Sequence, residues 1–174
     1  QLKNIYKKYA GGVTAVSDFS IDIADNEFII LVGPSGCGKS TTLRMIAGLD
    51  TDYTGEIIGA GISKTSICFQ EHRLFPELSA LSNIMKVSFS YTCAENEKKA
   101  KDMLEKLGFS NEDMKLKPSK LSGGMKQRLL LASSVIGNPK LIILDEPTAG
   151  LDPKERIRTR ELIKSIAEDR IVIV

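Results

Sequence analysis

With 174 residues the chain is about the size of one domain, and a composition of 42% hydrophobic and 26% charged residues excludes the disordered and collagen-like classes. The formal net charge is only +2 and the acidic and basic residues are interspersed, so no nucleic-acid partner is expected. Three cysteines without paired spacing indicate a reducing compartment, and therefore the cytosol.

The N-terminal segment predicts three strands, of which the first two are antiparallel. Apolar and polar residues alternate in places over residues 2–9 and 15–23, and Gly11 and Gly12 supply the turn between them. Residues 28–32 are all apolar, which predicts a strand buried on both faces. This run is far shorter than the roughly 20 residues of a membrane-spanning helix.

A glycine-rich segment, residues 33–41, follows the third strand and matches the phosphate-loop pattern G-x-x-x-x-G-K-[ST]. Gly36 and Gly38 let the backbone curl so that its N–H groups point at phosphate oxygens. Lys39 is expected to reach the β- and γ-phosphates of ATP, and Ser40 to bind Mg²⁺. The candidate nucleotide-binding residues of this loop are Ser35, Gly36, Cys37, Gly38, Lys39, Ser40 and Thr41.

The middle of the chain predicts a helix, a short strand and a helical lobe. The helix covers residues 39–47 and ends at Gly48. A strand over residues 65–69 leads into Gln70. Residues 77–120 contain no strong strand and one convincing helix, which stops at Gly108.

Helices and strands alternate in the last third of the chain. Ser122 is placed as the N-cap of a helix over residues 123–136, and residues 141–144 form a buried strand. A helix over residues 153–168 precedes a last strand at residues 171–174. The alternation predicts an α/β fold with a mostly parallel sheet covered on both faces. Because the chain stops inside a strand, we expect its C-terminal end to be truncated.

Two carboxylates, Asp145 and Glu146, follow the strand at residues 141–144 directly. The carboxyl ends of parallel strands form the edge of the sheet where ligands bind. We therefore expect Asp145 to hold Mg²⁺ through water and Glu146 to polarise the water that attacks the γ-phosphate.

Residues 121–125, Leu-Ser-Gly-Gly-Met, followed by Lys-Gln-Arg, resemble the signature sequence of ABC ATPases. In that family the serine and glycine amides of the signature close over the γ-phosphate that the partner subunit holds. The resemblance gives this role to Ser122, Gly123 and Gly124, and Ser122 is also placed to cap the helix that follows. Met125 replaces the usual glutamine.

The resemblance extends over essentially the whole chain and implies further site residues. Tyr9 matches the aromatic residue that stacks on adenine, with Val16 packing beside the base. Gln70 matches the glutamine that contacts Mg²⁺ and relays nucleotide state to the helical lobe. Asp152 matches the aspartate of the loop that crosses the dimer interface, or it caps the helix that follows, and the two roles are compatible.

Two further features depart from the family pattern. The family's switch histidine lies just beyond residues 171–174, and His72 is on a different loop. The stretch 55–70 is shorter than usual, so the antiparallel sheet is expected to be reduced. The N-terminal third resembles sugar-importer ATPases, whereas the chain from residue 121 onward is closer to drug exporters, which leaves the direction of transport open.

The resemblance implies one ABC ATPase domain over residues 1–174. Its nucleotide-binding core is expected at 1–76 and 138–174, with a helical subdomain at 77–137. Such a domain binds ATP and Mg²⁺, pairs with a second ATPase subunit, and works from the cytoplasmic face of the membrane through transmembrane permease subunits.

Two alternatives remain open at the level of sequence. The chain could be a nucleotide-binding module with little turnover, because the switch histidine is not in it. It could also be a soluble family member that acts on ribosomes or DNA, although near-neutral charge and a single nucleotide site argue against that.

Overall fold

A computed structural model of the chain describes residues 1–59, 65–69, 73–87 and 93–174. Its strands are β1 (Leu2–Lys8), β2 (Thr14–Ile21), β3 (Phe28–Ile29), β4 (Thr54–Ile57), β5 (Thr65–Cys68), β6 (Leu141–Leu144) and β7 (Ile171–Ile173). The α-helices are α1 (Lys39–Ile46), α2 (Ala80–Val87), α3 (Cys93–Lys106), α4 (Gly123–Val135) and α5 (Pro153–Ile166). No helix within these ranges is both long and apolar enough to span a membrane.

The strands form two sheets, which confirms the predicted α/β architecture. The antiparallel sheet has the order β2-β1-β4, and the parallel sheet has the order β3-β7-β6-β5. Gly11 and Gly12 both have positive φ in the turn between β1 and β2, as their position in the sequence predicted. The parallel strands are joined through helices, as strands that run in the same direction require.

A β-bulge at Asn4 sets which side chains of β1 face inward. Asn4 has φ of 48°, and the register of β1 against β2 shifts between Leu2 and Ile5. The extra residue breaks the strict alternation, so Leu2, Ile5 and Lys7 are all buried. Gly55 of β4 makes room for the bulge, since a Cβ atom at Gly55 would lie 2.4 Å from the Asn4 carbonyl oxygen.

Strand β3 differs from its prediction as a strand buried on both faces. The strand ends at Ile29 and not at residue 32, and Phe28, Ile30 and Val32 are 42%, 60% and 86% exposed. Leu31 still donates a backbone hydrogen bond of 2.7 Å to the carbonyl oxygen of Val174. The reason is position, because β3 lies at the end of the parallel sheet and pairs with β7 alone among the described strands. An apolar run shows that a strand can be buried. Whether it is buried depends on the elements that pack against it.

Both faces of the parallel sheet are buried at β6. In β6, Ile143 packs with the antiparallel sheet and α1, whereas Ile142 and Leu144 pack with α4 and α5. Alternate side chains of one strand point to opposite faces, which explains why β6 is apolar at every position. A separate core joins α2, α3 and α4 in the predicted helical lobe, and Ile84, Leu104 and Leu129 are fully buried there.

Candidate functional site

The loop at residues 33–41 connects β3 to α1 and has the predicted curled backbone. Gly36 has φ of 81° and Gly38 has φ of 94°, values that side chains rarely tolerate. Gly38 is also confined by its surroundings, because a Cβ atom there would lie 2.2 Å from the Ala15 carbonyl oxygen of β2. The loop therefore passes close to the antiparallel sheet, and its shape depends on that contact as well as on its own glycines.

The ammonium group of Lys39 is held by the loop that contains it. Lys39 Nζ donates hydrogen bonds to the carbonyl oxygens of Gly33 at 2.6 Å and Pro34 at 3.0 Å. The same Nζ lies 3.7 Å from the Sγ atom of Cys37. The charge thus lies inside the concave side of the loop, among neutral carbonyl groups.

Helix α1 begins without a capping side chain. Its N-cap is Gly38, which has no side chain to accept hydrogen bonds, and its first turn has no acidic residue. The first amides of a helix point outward from its positive end and need acceptors. The start of α1 therefore offers N–H donors and a partial positive charge beside Lys39, Ser40 and Thr41, which suits an anion.

Ser40 and Asp145 meet at the carboxyl edge of the parallel sheet. Ser40 Oγ donates a hydrogen bond of 3.2 Å to Asp145 Oδ1. The backbone of Asp145 is fixed by a 2.9 Å hydrogen bond from its N–H to the carbonyl oxygen of Cys68 in β5. Two hard oxygen donors thus converge next to the phosphate loop, and Mg²⁺ prefers such donors. In the described part of the chain, no three His, Cys, Asp or Glu side chains gather into a metal site.

Glu146 has an unusual backbone conformation at the end of β6. Its φ is 50°, in the left-handed region that non-glycine residues seldom occupy, and the residue is exposed. The carbonyl oxygen of Glu146 accepts a 3.0 Å hydrogen bond from the N–H of Ala149, which closes the turn after the strand. Such strained positions cluster at functional sites, and the sequence offers no signal for this one.

Tyr9 and Val16, assigned to adenine by resemblance, both lie beside the phosphate loop. The hydroxyl oxygen of Tyr9 lies 3.2 Å from Thr41 Oγ1, and Tyr9 is 41% exposed. Val16 is buried, and its Cγ2 atom would lie 3.3 Å from a Cβ atom built at Gly38. The antiparallel sheet thus places an exposed aromatic ring and an apolar side chain next to the loop.

Ser122 caps helix α4, as predicted, by accepting a 3.2 Å hydrogen bond from the N–H of Met125. The two signature glycines have different surroundings. A Cβ atom would meet nothing within 4 Å at Gly123, but at Gly124 it would lie 2.5 Å from Glu155 Oε2. Within the described residues, the signature segment 121–125 shares no hydrogen bond or ion pair with the phosphate loop.

The carboxylate of Glu155 in α5 joins the helical lobe to the core. It accepts a hydrogen bond from Arg128 Nη1 of α4, and a second one of 3.2 Å from Arg158 Nη1. Asp152 caps the same helix by accepting 3.0 Å hydrogen bonds from the N–H groups of Lys154 and Glu155. Sequence reasoning missed Glu155, and its only signal was an acidic residue in the first turn of a helix.

The predicted residues therefore fall into two groups. Tyr9, Val16 and Asp145 lie beside the phosphate loop and Glu146 follows Asp145 in the chain, whereas the signature and Asp152 lie at the starts of α4 and α5. Gln70 and His72 lie outside the described residues.

Comparison with known proteins places this arrangement in a family. A sequence model of the ABC transporter family matches residues 16–149. The chain is 36% identical to the xylose/arabinose import ATP-binding protein XacJ of Haloferax volcanii, over 99% of the chain and 48% of that protein. It is 38% identical to the trehalose import ATP-binding protein SugC of Mycobacterium tuberculosis, over 91% of the chain and 43% of that protein. The chain spans about half the length of these curated relatives.

Solved structures resemble the chain as well. The ATP-binding cassette MJ0796, determined as a dimer in a post-hydrolysis state with ADP and Pi, superposes with a TM-score of 0.84 at 31% sequence identity. The match covers 99% of this chain and 86% of that one. The family model covers residues 16–149, and the relatives and the fold match nearly the whole chain. The chain therefore belongs to the ABC transporter family, as an ATP-binding cassette domain.

Proposed function

We propose that the chain binds Mg-ATP on the phosphate loop, hydrolyses it between two cassette subunits, and thereby drives import of a solute through transmembrane permease partners. The observation that carries the proposal is the contact between Ser40 and Asp145 at the uncapped start of α1. It brings an anion-binding helix end, a lysine and two Mg²⁺-type ligands to one point of the sheet edge.

Phosphate binding would draw on groups that the loop already directs inward. Lys39 is paired with the neutral carbonyl oxygens of Gly33 and Pro34, and phosphate oxygens are stronger acceptors for an ammonium group. The amides at the start of α1 add donors, since the N-cap residue Gly38 has no side chain to accept from them. Ser35, Gly36, Cys37 and Thr41 complete the proposed phosphate cradle.

Mg²⁺ would be bound by Ser40 directly and by Asp145 through water, with the remaining positions filled by phosphate oxygens and water. The donors fit because Mg²⁺ in nucleotide sites usually takes only one or two protein ligands. The ion supplies neutralisation of the charge that develops on the phosphates. Gln70 is proposed as a further ligand, and it lies outside the described residues.

Glu146 is proposed as the residue that polarises the attacking water. It follows Asp145 directly, and its left-handed backbone turns the chain sharply at the sheet edge. Lys39 and Gln70 would complete the catalytic set by neutralising charge and positioning the water. The catalysis expected from such a site is mainly positioning and electrostatic stabilisation.

A second ATPase subunit, identical or different, would complete the site. Among the described residues, the signature residues Ser122, Gly123 and Gly124 share no hydrogen bond with this chain's own phosphate loop, which supports a role towards a nucleotide held by a partner. Asp152 would cross the same interface while it caps α5. The MJ0796 cassette, whose fold this chain shares, was solved as a dimer.

The direction of transport is proposed from the relatives. XacJ, SugC and the aliphatic sulfonates protein SsuB of Bacillus cereus are all named import ATP-binding proteins, and the last is 36% identical over 98% of this chain. The chain would work at the cytoplasmic face of the membrane, attached through permease subunits. Its core would comprise residues 1–76 and 138–174, with residues 77–137 as the helical subdomain.

The proposal is tested by the Glu146→Gln variant, which removes the charge and keeps the shape. We expect ATP binding close to that of the unchanged chain, and ATP hydrolysis reduced by about 100-fold or more, since general-base groups contribute about 10²- to 10⁴-fold. Glu161→Gln, at an exposed position of α5, is the matched control and should hydrolyse ATP normally.

Three outcomes discriminate. Normal hydrolysis by Glu146→Gln would show that another group polarises the water. The unchanged chain could bind ATP without hydrolysing it, even when paired with a second cassette. That result would show that the chain is a nucleotide-binding module and not an ATPase. Undiminished ATP binding by Lys39→Ala would contradict the nucleotide site itself.

A further inference from the structure

Lys7 is a charged residue in an unusual place. Its side chain is only 3% exposed, and lysine is almost never fully buried unless its charge is paired. Its Nζ donates a hydrogen bond of 2.8 Å to Asp50 Oδ1, a second to the carbonyl oxygen of Asp52, and lies 3.3 Å from Asp52 Oδ2. Both aspartates follow α1, so this cluster ties β1 to the segment that leaves the phosphate-binding helix.

The same ammonium group lies against the candidate adenine-binding ring. Lys7 Nζ is 5.0 Å from the centroid of the Tyr9 ring and lies over its face, within the range of a cation–π interaction. In the ladder between β1 and β2, Lys7 is opposite Val16, and directly opposite residues share a face of the sheet. Lys7 therefore neighbours both side chains assigned to the base.

We propose that Lys7 is a positioning residue for the adenine base: Asp50 and Asp52 hold its ammonium group under the Tyr9 ring, and the ammonium fixes that ring so that its exposed face stacks on adenine. The inference rests on the proposed nucleotide site and adds a residue that does not itself contact the nucleotide. It also links the base to the phosphates, because the aspartates that hold Lys7 lie in the segment after α1, the helix that begins at the phosphate loop.

The charge of Lys7 persists across the neutral range. Its hydrogen bond to Asp50 raises the pKa of Lys7 above the ordinary value of 10.5, and the same hydrogen bond lowers the pKa of Asp50 below 3.8. Tyr9 has a second restraint, because its hydroxyl group lies 3.2 Å from Thr41 Oγ1. The ammonium restrains the face of the ring and the threonine restrains its edge, so loss of Lys7 would leave a ring that can tilt.

The test compares binding of Mg-ATP with binding of Mg-tripolyphosphate, which has the phosphates and no base. We expect Lys7→Met to weaken ATP binding by about threefold to tenfold, the range that a cation–π contact provides. Tripolyphosphate binding should stay within about twofold, because the phosphate loop is unchanged. Lys8→Met, at the exposed neighbouring position, is the matched control and should alter neither.

A double-mutant cycle with Tyr9→Ala shows whether Lys7 acts through the ring. In the Tyr9→Ala background, Lys7→Met should cause no further loss of ATP binding. Equal loss of ATP and tripolyphosphate binding, or an additive loss in the double variant, would overturn the inference. Failure of the unchanged chain to bind either probe would instead overturn the proposed function.

Folding of the variant is monitored by thermal melting. If Lys7→Met does not fold, Lys7→Gln takes its place, because glutamine keeps donors for Asp50 and loses the charge. The loss of ATP binding is again compared with the loss of tripolyphosphate binding. If neither variant folds, Lys7 serves the fold as a whole and the positioning role is rejected.

Discussion

The hydroxyl group of Ser40 donates a 3.2 Å hydrogen bond to the carboxylate of Asp145, although 105 residues separate them in the chain. Ser40 lies in the first turn of α1 and Asp145 directly follows β6, so the contact depends on the parallel alignment of β3, β7 and β6. Each residue by itself is an ordinary polar group. Together they form the oxygen-donor pair on which the proposed Mg²⁺ site rests.

Mg²⁺ should increase the ATP affinity of the unchanged chain, and Ser40→Ala should reduce this increase by about tenfold or more. Even residues that only hydrogen-bond to a metal ligand contribute about 10- to 100-fold to metal affinity. Asp145→Asn should have an effect of the same kind. ATP titrations by calorimetry, with Mg²⁺ and with EDTA, measure the gain. Ser165→Ala, at an exposed position of α5, should keep it. A full Mg²⁺ effect in Ser40→Ala would exclude Ser40 as a ligand.

Gly38→Ala should destabilise the fold more than Gly36→Ala. Both positions have positive φ, which costs a side chain about 1–2 kcal/mol. At Gly38 the new Cβ atom would also lie 2.2 Å from the backbone of Ala15, whereas at Gly36 it would meet nothing within 4 Å. We expect an extra loss of about 1–3 kcal/mol in the free energy of unfolding for Gly38→Ala, measured with urea. Equal losses of unfolding free energy in the two variants would show that β2 can move away from residue 38 without cost.

Gly124→Ala should separate the contact between α4 and α5, whereas Gly123→Ala should not. A Cβ atom at Gly124 would overlap the Glu155 carboxylate, which is paired with Arg128, and the two side chains are only 17% and 13% exposed. Displacing one partner of such a pair costs free energy because the other partner stays buried without it. Thermal melting should therefore show a lower midpoint for Gly124→Ala alone. Similar midpoints for both variants would mean that Glu155 moves aside without cost.

Cys68 should resist iodoacetamide at pH 8, whereas exposed Cys37 should react. Burial raises the pKa of Cys68 to about 12, and the nearby Asp145 charge adds to the effect, so the folded chain holds almost no Cys68 thiolate. Peptide mapping by mass spectrometry follows the two sites separately, and urea should restore labelling of Cys68.

The raised pKa of Cys68 also makes the stability of the fold depend on pH. The unfolded thiol ionises near its ordinary value of 9.0 and the folded thiol near 12, so the unfolded state loses this proton first. Stability should therefore fall as the pH rises from about 9 towards 12. Rapid labelling of Cys68 in the folded chain would contradict its burial.

Local sequence signals predicted the helix ends well. Ser122 and Asp152 cap α4 and α5 as their positions indicated, and Gly48 has the positive φ expected at the end of α1. Such features depend on a few neighbouring residues, so a single sequence reveals them. The predicted burial of residues 28–32 was wrong at Phe28, Ile30 and Val32, because burial depends on distant elements.

The sequence by itself determined the family motifs, the curled phosphate loop and most of the order of strands and helices, because these follow from spacing and from local backbone preferences. It missed β4 in the glycine-rich stretch after α1, and it did not resolve α2 within the helical lobe. Only the tertiary structure decided that Ser40 meets Asp145, that Tyr9 reaches Thr41, and that a bulge at Asn4 turns Lys7 inward under Tyr9. The first two contacts join residues that are far apart in the chain. The third depends on one extra residue in β1, which changes the face of the sheet on which Lys7 lies. Their formation depends on how the two sheets pack around α1, which no local pattern specifies.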